Sequence, residues 1–153
     1  MKKYIYLISP QKIRGNKFYN DLDKILKTKR VKYFQLRIKN ISNSNLIKIS
    51  NKIKKIVKKN NVKFIINDIP AVAKKIDADG CHIGQKDLDY KSSRKILGEK
   101  KIIGITCHNS KKLALKANVD GADYIAFGSF FKTSTKKTAF KANLAILRWA
   151  KKK

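Results

Sequence analysis

The chain has 153 residues, 42% of them hydrophobic, and sets 38 Lys and Arg against 10 Asp and Glu for a net charge of +28. That length suits one domain with a real core, expected to span residues 1–153, and the apolar content excludes a disordered chain. No apolar run approaches the roughly 18 residues of a membrane span, and the apolar part of "MKKYIYLISP" is too short for a signal-peptide core, so a cytoplasmic protein with no membrane partner is expected.

Taken in chain order, β-rich runs alternate with helical periods. Residues 3–9 read as a strand and 18–29 as a helix with Phe18, Leu22 and Ile25 on one face. Strand 32–38 precedes the clearest helix, 45–59, where Leu46, Ile49, Ile53 and Ile56 keep helical spacing. Strand 63–68, helix 71–76, strand 80–84 and helix 91–97 follow, then strand 101–107, helix 110–117, strand 123–129 and helix 141–152. Six β-then-α units without hairpin signals imply a parallel sheet with right-handed crossovers. "DADG" (77–80) and "DGAD" (120–123) each join a helix to the next strand, so Asp77, Asp79, Asp120 and Asp123 read as turn formers.

The charge invites a nucleic-acid reading, since lysines that neutralise phosphates bind without sequence preference. Only five of the 38 basic residues are Arg, and the lysines spread over every helix. Glu occurs once, at Glu99, as though surface Glu had drifted to Lys. A solvated basic surface with no specific nucleic-acid partner is expected. Cys81 and Cys107 lack metal-ligand spacing and read as buried, reduced thiols.

In "FQLRIK", Phe34, Leu36 and Ile38 alternate with Gln35, Arg37 and Lys39. Strands of a parallel sheet are covered on both faces and normally read as continuous apolar runs. Either the polar set lines an interior holding an anionic ligand, or the strand is a wet sheet edge. Asn67-Asp68 ends one strand and "GQKD" carries the next to Asp87, so two carboxylates leave neighbouring strands at the same end. Mg²⁺ is commonly held by one or two carboxylates, water and phosphate oxygens; the alternative is that each Asp caps the following helix. Strand five ends in Thr106, Cys107 and His108, and His108 is either an acid–base group or a histidine bonded to backbone. His82 reads as a satisfied interior residue. "GSFFKTSTKK" (128–137) then presents Gly128, three hydroxyls on Thr133, Ser134 and Thr135, and Lys136, all suited to phosphate.

Together "YLIS-P", "QLRIK", "IIND", "ADGCHIGQKD", "IIGITCH" and "GADYIAFGSFFKTSTKK" resemble, in order and interval, the thiamine phosphate synthase family. The resemblance implies a (β/α)₈ TIM-barrel fold and a transferase joining hydroxymethylpyrimidine diphosphate to thiazole phosphate, with pyrophosphate released and Mg²⁺ as cofactor. It implies that Gln35, Leu36, Arg37, Ile38, Lys39 and Asn67 hold the pyrimidine diphosphate, with Arg37 and Lys39 on its phosphates and Thr106 and Lys136 also contacting it. It implies Asp68 and Asp87 as metal ligands and Thr133, Ser134 and Thr135 on the thiazole phosphate, with no nucleophile or general base among these residues. The implied chemistry is dissociative: pyrophosphate leaves, and the thiazole nitrogen attacks a pyrimidine-stabilised cation. The related thiazole tautomerase-like proteins keep the strand-five histidine but lack the Gln-x-Arg-x-Lys, Asn-Asp and Gln-x-Asp set, all three of which this chain carries. Ile69-Pro70, Ser129 and Lys132 depart from the family pattern. The sequence stops after six units at "WAKKK", so a barrel truncated to about six βα units is expected, with self-association through open sheet edges. An inactive remnant retaining diphosphate or polyanion binding is the alternative.

Overall fold

A computed structural model describes residues 3–131 and 141–153. Within them, strands β1 (Ile5–Ile8), β2 (Val31–Leu36), β3 (Lys63–Asn67), β4 (Gly80–Ile83), β5 (Ile102–His108) and β6 (Tyr124–Phe127) alternate with six helices. These are α1 (Gly15–Lys27), α2 (Asn43–Lys59), α3 (Pro70–Lys75), α4 (Tyr90–Leu97), α5 (Lys111–Asp120) and α6 (Leu144–Ala150). Local chemistry sets the ends. Ser42, Asp89 and Ser110 cap α2, α4 and α5 by accepting the backbone N–H three residues on. Helix α5 runs three residues past its expected end, to Asp120, where Gly121 takes the left-handed conformation at φ +94°.

All five strand pairs are parallel and the sheet order is β1-β2-β3-β4-β5-β6. Laid flat, five strand spacings would part β1 from β6 by roughly 24 Å. Instead the Tyr6 hydroxyl on β1 lies 2.6 Å from the Tyr124 hydroxyl on β6. The sheet therefore curls into a half-barrel whose two edge strands touch across its inside.

Alternation along the strands divides the residues between two faces. Phe34, Leu36, Phe64, Ile66, Cys81, Ile83, Ile103, Ile105 and Cys107 point outward into one core with Leu22, Leu26, Leu46, Ile53, Val57 and Val72 of the helices. Both cysteines are buried and unbonded to each other, as their spacing suggested. The inner face carries Tyr6, Tyr33, Gln35, Asn67, His82, Thr106 and Tyr124. The wet-edge alternative for β2 is thereby discarded: β2 is internal, and Gln35 is 3% exposed.

The two aspartate turns clamp the N-terminal side of the sheet in the same way. Asp79 N–H donates to Phe64 O, and its carboxylate accepts from Phe64 N–H. Asp123 repeats both bonds with Ile103. Their role in turns is structural, as expected, and it leaves the opposite end of the strands for chemistry. No helix among the described residues is long and apolar enough to cross a membrane.

Candidate active site at the C-terminal ends of the strands

Asp68 and Asp87 meet. Asp68 follows β3 in the left-handed conformation, φ +65°, which Asp and Asn tolerate better than most side chains, and its N–H donates to His82 O at 2.8 Å. Asp87 folds back over the turn after β4, its carboxylate accepting from Gly84 N–H at 2.7 Å. The two carboxyl groups lie within hydrogen-bonding reach of each other. Neither is a helix cap, which removes that alternative: Ile69 and Asp89 hold the N-cap positions of α3 and α4.

The ion pairs make this meeting unusual. Asp21, Asp23, Asp77, Asp79, Asp120 and Asp123 all pair with Lys or Arg. Asp89 caps α4. Among the described residues, the aspartates outside both groups are Asp68 and Asp87. Burial first, then the Asp87 carboxyl, lift Asp68 from 3.8 to about 6, against the pull of Lys39 and Asn67. An acid whose folded pKa is raised contributes stability below its unfolded pKa and loses it as pH rises through the folded value. Metal-free protein is therefore expected to melt at lower temperature as pH climbs from about 4 to above 6. Asp68→Asn should flatten that slope and raise Tm by roughly 3 °C at pH 7.5; thermal melts in chelator check both.

Around this pair, Gln35 Nε2 donates to Asn67 Oδ1 at 2.9 Å, joining β2 to β3 on the inner face. The buried Ser9 hydroxyl accepts from Arg37 N–H at 2.9 Å and fixes the chain just past β2. Arg37 is half-buried and Lys39 exposed, with the Lys39 ammonium near enough to Asp68 to lower its pKa. Leu36 and Ile38 are placed differently from a substrate-contacting role for their side chains. Leu36 is 1% exposed, turned by alternation along β2 into the helix-facing core, and Ile38, just past β2, is partly buried against the same core.

Behind Asp68 and Asp87 stands a hydrogen-bonded column. Thr106 Oγ1 is 2.8 Å from His82 Nε2, His82 Nδ1 is 3.0 Å from the Tyr124 hydroxyl, and that hydroxyl meets Tyr6. Tyr6 stacks on Tyr33 and Tyr124 on His82. Burial is the main cause raising both phenols, Tyr6 to about 12 and Tyr124 further, so both stay protonated. Gln85 Nε2 donates to Thr106 O at 2.6 Å. His82 is the satisfied interior residue expected. Tyr6, Tyr33 and Tyr124 were given no role from sequence, and Ser9 and Gln85 entered only inside the quoted motifs, without a contact of their own; the signal available for the tyrosines was an inward register shared with Gln35 and His82. Gly128 holds φ +155°, a value side chains rarely adopt. Thr133, Ser134, Thr135 and Lys136 lie outside the described residues.

A curled parallel α/β sheet with carboxylates, amides and basic residues converging at the C-terminal strand ends is the arrangement of barrel enzymes that handle phosphorylated compounds. A family model described as thiamine monophosphate synthase matches residues 5–153. The chain belongs to that family. It is 55% identical over 151 residues to a thiamine-phosphate synthase of Pelagibacter ubique, covering 99% of this chain and 72% of that protein. It is 37% identical to the thiamine-phosphate synthase of Rhodospirillum centenum, covering 95% of this chain and 70% of that protein. A solved thiamine phosphate pyrophosphorylase from Pyrococcus furiosus superposes with TM-score 0.75 at 26% identity, over 86% of this chain and 63% of that one. The chain thus spans 72% and 70% of the two curated relatives and 63% of the solved one.

Proposed function

We propose that the protein is a cytoplasmic thiamine-phosphate synthase. It is a transferase that condenses hydroxymethylpyrimidine diphosphate with thiazole phosphate, on a (β/α)₈-type barrel to which β1–β6 contribute. The observation that carries this reading is the Asp68–Asp87 pair, two strand-end carboxylates without an ion-pair partner among the described residues. Gln35 and Asn67 hold the pyrimidine, which buries a polar ring only where amides meet its nitrogens. Arg37 and Lys39 neutralise the diphosphate, and the Thr106 hydroxyl donates to it. Lys136 reaches the same group, while Thr133, Ser134 and Thr135 take the thiazole phosphate.

Mg²⁺ fits the donors present. Among the described residues no cluster of three or more His, Cys, Asp or Glu could enclose a metal, but Mg²⁺ keeps waters and needs only one or two carboxylates beside substrate phosphate oxygens. Asp68, its pKa raised by burial and by the Asp87 carboxyl, forms with Asp87 a pair that a dication relieves. When bound, the ion supplies charge stabilisation to the departing pyrophosphate. The chain's own residues bind, orient and screen the diphosphate, and no side chain forms a covalent intermediate.

The test is direct. Purified protein receives both substrates with Mg²⁺, and thiamine phosphate and pyrophosphate are quantified together. Stoichiometric formation of both is expected. Binding of the pyrimidine diphosphate without either product overturns the synthase reading.

A further inference from the structure

We propose that Gln85 is a positioning residue, a side-chain strap that holds the turn carrying Asp87 against β5 and so fixes the Asp87 carboxylate relative to Asp68 and Thr106. What those three groups hold rests on the synthase reading; the strap itself does not.

Each acid of the pair sits on a connection past its own strand, and each connection is tied to the next strand along. Asp68 is the first residue after β3, and its own N–H makes the tie, to His82 O on β4. Asp87 lies farther from its strand, beyond Gly84, Gln85 and Lys86. Its polar groups are engaged inside its own turn. Gly84 N–H donates to the Asp87 carboxylate at 2.7 Å, and Asp87 N–H donates to Gly84 O at 3.4 Å. The carboxylate folds back this closely only over a glycine, since a Cβ at position 84 would meet Asp87 Oδ2 at 2.8 Å. The turn is therefore closed on itself, and its tie to the sheet falls to a side chain.

Gln85 supplies that tie. Strand β4 pairs with β5 as far as Ile83 opposite Ile105. One residue further along β5, Thr106 O accepts from Gln85 Nε2 at 2.6 Å, across 21 residues of sequence. The amide carries the β4–β5 ladder one step past the last paired residues. It lands on the residue proposed to contact the diphosphate. The other end of the turn is held separately: Asp89 caps α4, and the Ser93 hydroxyl donates to Leu88 O at 3.3 Å. With α4 on one side and Gln85 on the other, the Asp87 carboxylate keeps one position. Gln85 is itself exposed, so losing the strap frees the turn without opening the core.

Two variants test this. Gln85→Met keeps the length of the side chain and removes the donor. Gln85→Asn keeps the amide and falls one methylene short of β5. Both should melt within about 2 °C of the wild type; a larger loss would make Gln85 a residue of the fold and overturn the proposal. Mn²⁺ with inorganic pyrophosphate is the probe, because water-proton relaxation titrations read metal binding without turnover. Both variants are expected to weaken Mn²⁺ binding in the presence of pyrophosphate about tenfold, the scale on which partners of metal ligands act. In steady-state kinetics the Mg²⁺ concentration for half-maximal rate should rise about tenfold, while KM for the pyrimidine diphosphate at saturating Mg²⁺ stays within about twofold. The reverse split, a raised KM with unchanged metal dependence, makes Gln85 a substrate contact and overturns the strap. Wild-type affinity in Gln85→Asn overturns it too, because reaching β5 would then not matter, as does a wild type that binds no Mn²⁺ with pyrophosphate. If the wild type binds Mn²⁺ but makes no product, and both variants bind it more weakly, the synthase reading fails and the strap stands.

Discussion

Asp68→Asn and Asp87→Asn are each expected to reduce thiamine phosphate formation by about 10²–10³-fold at saturating substrates and Mg²⁺, while leaving the protein folded. Asparagine is the informative replacement at both positions. It tolerates the left-handed backbone that Asp68 adopts at φ +65°, and its side-chain oxygen can still accept from Gly84 N–H in place of Asp87. What it removes is charge. The wild-type pair keeps two carboxyl groups together at a cost visible in the raised pKa of Asp68, in a chain where six other aspartates found basic partners. Asp68→Asn should therefore make the metal-free protein more stable at neutral pH and nearly inactive, the opposed changes typical of a strained functional pair. Turnover measured beside thermal melts separates this from a folding defect: a variant both inactive and less stable would mean that Asp68 holds the fold together rather than the metal.

Much of this was legible in the residues, for a physical reason. Parallel βαβ units write themselves as alternating periods, and all six strands and all six helices fall where the periodicity puts them, with ends displaced by a few residues. Ends moved where a cap decided them, as at Gly121. The meeting of Asp68 and Asp87 was inferable because each is the first acidic residue past a strand of one parallel sheet, and neighbouring strands bring such positions together. The interior column was not inferable, because a tyrosine in a strand looks the same whether it packs on a helix or crosses a barrel. Only curling of the sheet brings Tyr6 of β1 to Tyr124 of β6 across 118 residues of sequence. Leu36 and Ile38 show the converse: a motif marks a stretch of chain, and alternation decides which of its side chains face the ligand.

The curl itself depends on a residue with no side chain. Gly104 pairs with Tyr124 between β5 and β6, and opposite it on β4 is His82. A methyl group at Gly104 would fall inside the Tyr124 ring, far closer than atoms can approach. Elsewhere a clash with a side-chain tip is relieved by a small rotation. At this position the ring is held by Tyr6, Tyr33 and His82 on its other sides, and its hydroxyl is engaged by Tyr6 and His82. To admit alanine the ring must leave the cluster or β5 and β6 must part. Overpacking a filled interior costs about 1–3 kcal/mol, and stranding the buried His82 imidazole and the part-buried phenols adds about 1–3 kcal/mol more. Gly104→Ala is thus expected to lose about 3–5 kcal/mol in urea unfolding, a large share of the about 5–15 kcal/mol that keeps a typical domain folded. Because the damage runs through one ring, Gly104→Ala combined with Tyr124→Leu should be less destabilised than the sum of the single changes by at least about 1 kcal/mol. Strict additivity would mean that Gly104 serves the strand backbone alone and that the inward ring of Tyr124 does not set the curvature of the sheet.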